Sequence, residues 1–222
     1  MRAITLFFIF SIIALLGLSL SYAQFSETLY IGRPGTPGNV VTTGDINPGI
    51  RMWFGLGGKY AKIKPLFKYY DPPVQSISFS VENAYPGYGS QVVMPPHRMM
   101  CVVFVKNDGS VPVKVQSIDW DVPDYVEVSY WGGDIPEDML NDIIQAINES
   151  EGIPEDKKEL MISILNQSNC MHEGRIILPY EWDVPIFRKW DALVFNWHFK
   201  ENTPENASFT GNCTITFTQF NV

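Results

Sequence analysis

Hydrophobic and polar residues alternate with a period of two through most of the chain beyond residue 65, which predicts strands with one buried and one wet face. In Ser76–Glu82, Ile77, Phe79 and Val81 share one side and the serines take the other. In 191–199, Leu193, Phe195, Trp197 and Phe199 point inward against Ala192, Val194, Asn196 and His198; in 212–220, Cys213, Ile215 and Phe217 oppose Thr214, Thr216 and Thr218. Thr and aromatic side chains suit such pleated surfaces. Turn signals at Tyr85-Pro86-Gly87, Met94-Pro95-Pro96, Val122-Pro123-Asp124 and Leu178-Pro179 separate short strands, a spacing that points to a sandwich or jelly roll.

The stretch Met100–Val115, MCVVFVKNDGSVPVKV, is apolar on both sides of a polar break. It predicts a hairpin of two strands, Met100–Lys106 and Val111–Ile118, turned by Asn107-Asp108-Gly109-Ser110, whose residues tolerate positive φ. Pro112 lacks a ladder donor and must sit at an edge, at a strand start or beside a bulge.

One region breaks the period. Asp134-Ile135-Pro136-Glu137 has the form of an N-cap, an early helical proline and a carboxylate three residues on, followed by Met139, Leu140, Ile143, Ile144 and Ile147 at helical spacing. Gly152 ends this helix and Pro154 restarts it, with Leu160, Met161, Ile164 and Leu165 as a second stripe. Residues 135–167 are therefore expected to form a helical hairpin inserted between strands, whose apolar faces cover each other or cap one end of the sandwich.

The beginning of the chain differs. Arg2, the apolar run Ile4–Leu20 and Ser21-Tyr22-Ala23 have the three parts of a secretory signal peptide, with cleavage expected before Gln24 and an uncleaved anchor as the alternative. Residues 24–65, rich in Gly and Pro, read as an N-terminal extension, and 66–222 as the β domain. Within the extension, Phe25, Leu29 and Ile31 lie on one face of a strand-like piece that needs a sheet to join.

Charge and cysteine content narrow the chemistry. The chain has 16 Lys+Arg against 24 Asp+Glu, and removal of residues 1–23 takes one Arg away. That acidic balance, with no basic cluster interleaved with aromatics, argues against a nucleic-acid partner. In an oxidising compartment the three cysteines, Cys101, Cys170 and Cys213, allow one disulfide and one leftover thiol, with all three pairings open. Their spacing makes no zinc pattern, and no metal or cofactor is expected. Glycosylation sequons occur at Asn148, Asn166, Asn206 and Asn212.

His172-Glu173 lacks the second histidine of a zinc-protease helix, His97 and His198 share no spacing with it, and no G-x-S-x-G occurs. Asp119, Asp121 and Asp124 read as a solvated rim rather than a cation site. No enzymatic activity is expected. Tyr69-Tyr70, Tyr125, Tyr130-Trp131 and Tyr180-Glu181-Trp182 could stack on sugars, although a β core of this size consumes many rings.

Residues 76–115 resemble the first half of the TasA/camelysin-like biofilm-fibre proteins, with Asn83, Pro86, Gly87, Lys106, Asn107, Gly109, Ser110, Pro112 and Val113 at the motif positions. Residues 195–220 look like that family's closing hairpin, with Asn206, Gly211, Phe217 and Gln219. The secreted start and helical insertion suit the archaeal bundling pilins and thread filaments of the same type. Tyr88 and Thr210 depart from the pattern, and the peptidase activity ascribed to camelysin has no motif here.

The resemblance implies a jelly-roll subunit of an extracellular, cell-surface filament, polymerised head to tail by donor-strand complementation, with filament bundling as a further possibility. The tail freed by signal cleavage is expected to supply the donor strand, Gln24, Phe25, Ser26, Glu27, Thr28, Leu29, Tyr30 and Ile31, with Asn39–Ile46 as second choice and pairing of the tail within its own chain as the alternative; the 100–118 hairpin is expected in the wall of the receiving groove. The membrane would be met only through the signal peptide before cleavage. The alternative is a monomeric secreted module that binds carbohydrate or a surface-layer partner.

Overall fold

The computed structural model of the chain describes residues 29–31, 39–41, 45–57, 61–87, 99–167 and 170–220. These divide into two units, Met1–Asp45 and Ile46–Val222. In the first, β1 (Leu29–Ile31) pairs antiparallel with β2 (Asn39–Val41) as a two-stranded sheet of its own, with Leu29 opposite Val41 and Ile31 opposite Asn39.

The second unit is a sandwich of two five-stranded antiparallel sheets. Its strands are β3 (Pro48–Leu56), β4 (Lys62–Lys64), β5 (Phe67–Val74), β6 (Ser76–Ala84), β7 (Met100–Asn107), β8 (Val113–Asp121), β9 (Val126–Trp131), β10 (Ile176–Ile177), β11 (Trp190–Phe199) and β12 (Ala207–Gln219). One sheet has the order β10-β8-β12-β6-β4 and the other β5-β3-β7-β11-β9. Each successive strand of this unit lies in the sheet opposite its predecessor.

Two expectations are corrected by that alternation. Residues 100–118 are not a hairpin: β7 pairs with β3 and β11, whereas β8 pairs with β10 and β12. Residues 195–220 are likewise an arch between sheets, with β11 in one and β12 in the other. Asn107 explains the first case. Its buried side chain accepts from Gly109 N at 3.0 Å and donates to Val111 O at 2.8 Å and Ile177 O at 3.2 Å, which bends the chain from one layer to the next. Pro112 sits just before β8, at a strand start.

The body also begins earlier than residue 66, because β3 runs between β5 and β7. Glycine there marks close approach rather than a linker. A Cβ on Gly49 would lie 2.7 Å from Pro73 Cβ, and one on Gly55 2.9 Å from Ile63 Cγ2.

The helices are α1 (Glu137–Glu149), α2 (Glu155–Gln167) and the single turn α3 (Ile186–Lys189). The N-cap of α1 is Pro136 rather than Asp134, with no side-chain cap; the Pro136 carbonyl accepts from Leu140 N at 2.9 Å. The hairpin covers the outer face of the β5–β9 sheet instead of a sandwich end. Met139, Ile143 and Ile147 of α1 and Met161, Ile164 and Leu165 of α2 pack with Met52, Phe54, Met100, Val102, Phe104, Ala192 and Val194. The opposite face of that sheet meets the other across a core that includes Trp53, Val103, Phe195, Trp197, Phe79, Cys213 and Ile215. Consequently β7 and β11 are buried on both faces, and Ala192 and Val194, expected to face solvent, face the helices.

Ile147 is fully buried at the contact between α1 and the sheet. Its replacement by alanine is expected to lower the unfolding free energy by about 2–4 kcal/mol, measured by urea denaturation followed by circular dichroism. A loss within measurement error would show that the helices do not pack on the sheet.

Candidate assembly interface

The two sheets are unequal at their edges. In the β10–β4 sheet, the full-length strands β8, β12 and β6 are flanked by stubs of two and three residues. β10 pairs with Val113 and Lys114 of β8, and Val115 exchanges backbone bonds with Gly174 and Arg175. Beyond Val115, this edge of β8 has no strand paired with it among the described residues.

Backbone register shows what the open edge presents. Ile118 of β8 stands opposite Ile215 of β12, and Ile215 N donates away from β8, to Gln75 O at 2.9 Å. The pair is therefore of the type that exchanges no hydrogen bonds, so Ile118, and Trp120 two residues on, turn their peptide groups to the outer edge. The Trp120 indole N–H is buried without a partner among the described residues.

The layer opposite faces the same unpaired edge. Phe195 of β11 pairs on one side with Cys101 of β7 and on the other with Tyr130 of β9, which gives Tyr130 the inward parity of Val126 and Val128. Cys213 of β12 pairs on one side with Ile77 of β6 and on the other with Trp120 of β8. The Trp120 and Phe195 rings lie 4.3 Å apart. One strand further out, Tyr130 faces a position where no described strand lies, and it is 37 % exposed despite its inward parity. Ile118 and Trp120 on one side, and Val128 and Tyr130 on the other, flank the unpaired edge, the slot that an added strand would occupy. The opposite edge differs: Ile77 and Phe79 of β6, beside β4, are 2 % and 1 % exposed. An apolar hollow of about 550 Å³, lined by Phe54, Leu56, Ile63, Leu66 and Ala146, lies at that side, between the end of β3, β4 and α1.

An ionic and polar cluster pins β10 and so fixes where the slot ends. Arg175, immediately before β10, donates from Nε to Asp191 Oδ2 at 2.7 Å, and Asp191 Oδ1 accepts from Ala192 N at 2.9 Å. Asp191 is 1 % exposed, and burial pushes its carboxyl up to about 6 although Arg175 opposes the shift. Asn107 holds Ile177 O, and Tyr180 N donates to Asn107 O at 2.9 Å. Next to it, Asp108 is bound by Arg51 and by Lys106, the latter at 2.6 Å, and the Lys106 ammonium lies 3.4 Å from the Tyr180 ring centre. Burial alone would raise Asp108, but the bonds and charges of Lys106 and Arg51 outweigh it and hold the carboxyl below its usual range.

The other sequence candidates are dispersed. Of the expected donor segment, Gln24–Thr28 lies outside the described residues, as does His97; Leu29–Ile31 pairs with Asn39–Val41, so the two donor candidates meet each other within one chain. β7, expected in the groove wall, is hydrogen-bonded on both sides and has no edge to offer. Asn148, Asn166 and Asn206 are exposed, whereas Asn212 is half-buried in mid-strand, accepting from Ser78 Oγ at 2.6 Å and donating to Asp121 at 3.2 Å. Asp119 accepts from Ser117 Oγ, and among the described residues no group of three or more His, Cys, Asp or Glu could hold a metal ion. The rings proposed for sugar stacking do not converge: Tyr69 and Tyr130 are on opposite edge strands of one sheet, Tyr180 is engaged by Lys106, and Tyr70 and Tyr125 pack against the core. Cys101, Cys170 and Cys213 are all buried free thiols.

No family model, no curated protein and no solved structure matches the chain.

Sequence reasoning named Tyr130 only as a ring for sugar stacking and missed the edge that it flanks with Ile118, Trp120 and Val128. A vacancy depends on strand order, which periodicity does not report. The only trace was an aromatic at Tyr130 in phase with Val126 and Val128.

The two carboxylates make opposite pH contributions. Asp191 binds its proton more tightly folded than unfolded, so its contribution to stability is fully present below about pH 4 and is lost as pH rises through about 6. Asp108 has the reverse sign, contributing above the ordinary carboxylate range and losing that contribution as pH falls through its depressed value. Between about pH 4 and 6.5 the wild-type chain is expected to lose stability relative to Asp191→Asn, by at most about 3 kcal/mol, in urea titrations at fixed ionic strength. Parallel profiles would contradict the raised value.

Proposed function

We propose that the chain is a secreted, non-enzymatic structural subunit of a filament, built on a jelly-roll body and joined head to tail by donor-strand complementation. The observation that carries the proposal is the inward-facing but exposed Tyr130, opposite the unpaired edge of β8 at Ile118 and Trp120. An open edge of this kind is a template for another chain, and an added strand would supply main-chain bonds while alternate side chains fill the slot.

The donor is the N-terminal segment of a neighbouring copy. Gln24–Ile31 would extend about 26 Å at 3.3 Å per residue, enough to run along the six residues Gln116–Asp121. Phe25, Glu27, Leu29 and Ile31 would share one face of the extended segment, with Phe25, Leu29 and Ile31 resting on Val128 and Tyr130. In the single chain Leu29–Ile31 pairs with Asn39–Val41, and donation requires that ribbon to open; two strands of three residues form a pairing that is marginal in water, which a longer one would replace. Because donor and slot lie at different places on one chain, the contact is heterologous and propagates instead of closing. The resemblance to TasA/camelysin-like fibre proteins points the same way, and export through the N-terminal leader would free Gln24 outside the cell. Exposed Asn148, Asn166 and Asn206 then offer glycan positions away from the slot.

Deletion of residues 24–31, and separately Tyr130→Asp, are expected to leave a folded body and abolish filaments, scored by negative-stain electron microscopy and sizing chromatography. Circular dichroism of each variant checks that the body is folded, since Tyr130 is 37 % exposed. Filaments of normal length from either protein would overturn the proposal.

A further inference from the structure

Three buried cysteines are distributed over two separate interiors. Cys101 and Cys213 belong to the core between the sheets, and Cys170 to the core between the β5–β9 sheet and the helices. The β5–β9 sheet stands between Cys170 and the other two. Cys170 is moreover bridged by backbone to Gly133, with Cys170 N donating to Gly133 O at 2.5 Å, which fixes it at the helical side.

Cys101 and Cys213 occupy matching places. Cys101 is in the central strand of its sheet, between Gly55 and Phe195; Cys213 is in the central strand of the other, between Ile77 and Trp120. These two cross-strand rows lie face to face, because Trp120 beside Cys213 touches Phe195 beside Cys101, at 4.3 Å between ring centres. Two residues further along β6 and β11, Phe79 stacks on Trp197 at 4.6 Å. The two rows thus bring Cys101 and Cys213 to facing positions in one shared core, where Cys213 is near enough to raise the Cys101 thiol further.

The geometry points to an inter-sheet disulfide between Cys101 and Cys213, with Cys170 left as the unpaired thiol. A bond between the central strands of two packed sheets, cushioned by buried tryptophan, is a known way to lock a sandwich, and it joins residues far apart in the chain. In the reaction the two thiols lose two protons and two electrons and form one S–S bond, while a disulfide of the thiol-exchange class, such as oxidised glutathione, is reduced to two thiols. Timing follows from burial. Desolvation pushes both thiols well above their usual range, and neither is accessible, so the bond forms as the sheets come together during folding and not by attack on the finished fold. Burial likewise pushes Cys170 up, to about 12, with no thiol facing it.

The test refolds the full chain from denaturant in a glutathione redox buffer, quenches and alkylates it under denaturing conditions, and maps the peptides by mass spectrometry. The expected result is a single intramolecular Cys101–Cys213 link with Cys170 alkylated, retained in Cys170→Ser. Cys101→Ser and Cys213→Ser should each leave two alkylatable thiols and no internal link. Linked material should have a higher urea midpoint than the same protein reduced after refolding. Cys170 appearing in an internal link, or three alkylated thiols in protein that has regained its native circular dichroism, would overturn the assignment.

Discussion

β7 and β11 carry apolar side chains on both faces, and most of the molecule is arranged to keep both faces dry. One face is covered by the second sheet and the other by α1 and α2, so Val102, Phe104 and Val194 are as inaccessible as Val103, Val105 and Phe195. Each such side chain contributes about 1.5–3 kcal/mol when fully buried, and no arrangement of two layers could collect the contribution from both parities. The helical insertion is thus a third layer. It also explains why the β5–β9 sheet is complete: a sheet covered on both sides cannot leave a strand position empty without opening two interiors at once.

The second sheet is under no such demand. Its outer face is polar, with Ser76 bonded to Thr214, Ser78 to Asn212, and Asn212 to Asp121, and water can serve it. Only its inner face must be covered. It can therefore end in stubs, and the shortfall is visible at one edge, where Trp120 and Tyr130 remain partly open while Ile77 and Phe79 at the other edge are sealed. The ion pair of Arg175 with Asp191 and the hydrogen bonds of Asn107 stop β10 after two residues. Under the proposed assembly, stability and polymerisation would be linked at this point, since the residues that end one strand define where another could begin.

The all-β sandwich was legible because period-two patterning is local. Ile77, Phe79 and Val81 are buried as their alternation implies, and the stripes of Met139, Ile143 and Ile147 and of Met161, Ile164 and Leu165 face the sheet. Partner choice was not legible. Asn107-Asp108-Gly109 has the composition of a hairpin turn, yet Asn107 uses its amide to bend the chain across the sandwich. Gly49 and Gly55 resembled linker residues because close backbone approach and flexibility call for the same residue type. The unbroken apolar run Met100–Val105 did carry the signal of double burial, but the layer that buries it comes from residues 137–167. The slot residues were the least legible of all, for Trp120 and Tyr130 differ from core rings only in what stands next to them.

The central proposal is that the outer edge of β8, which pairs with no described strand beyond Val115, gains a strand from a neighbouring copy. Amide hydrogen exchange across Gln116–Asp121, read by fragmentation mass spectrometry in dispersed and assembled protein, tests it most directly. The account predicts fast exchange at Ile118 and Trp120 in the dispersed chain and strong protection at both after assembly. Protection already present in the dispersed chain, or fast exchange persisting in the assembly, would contradict it.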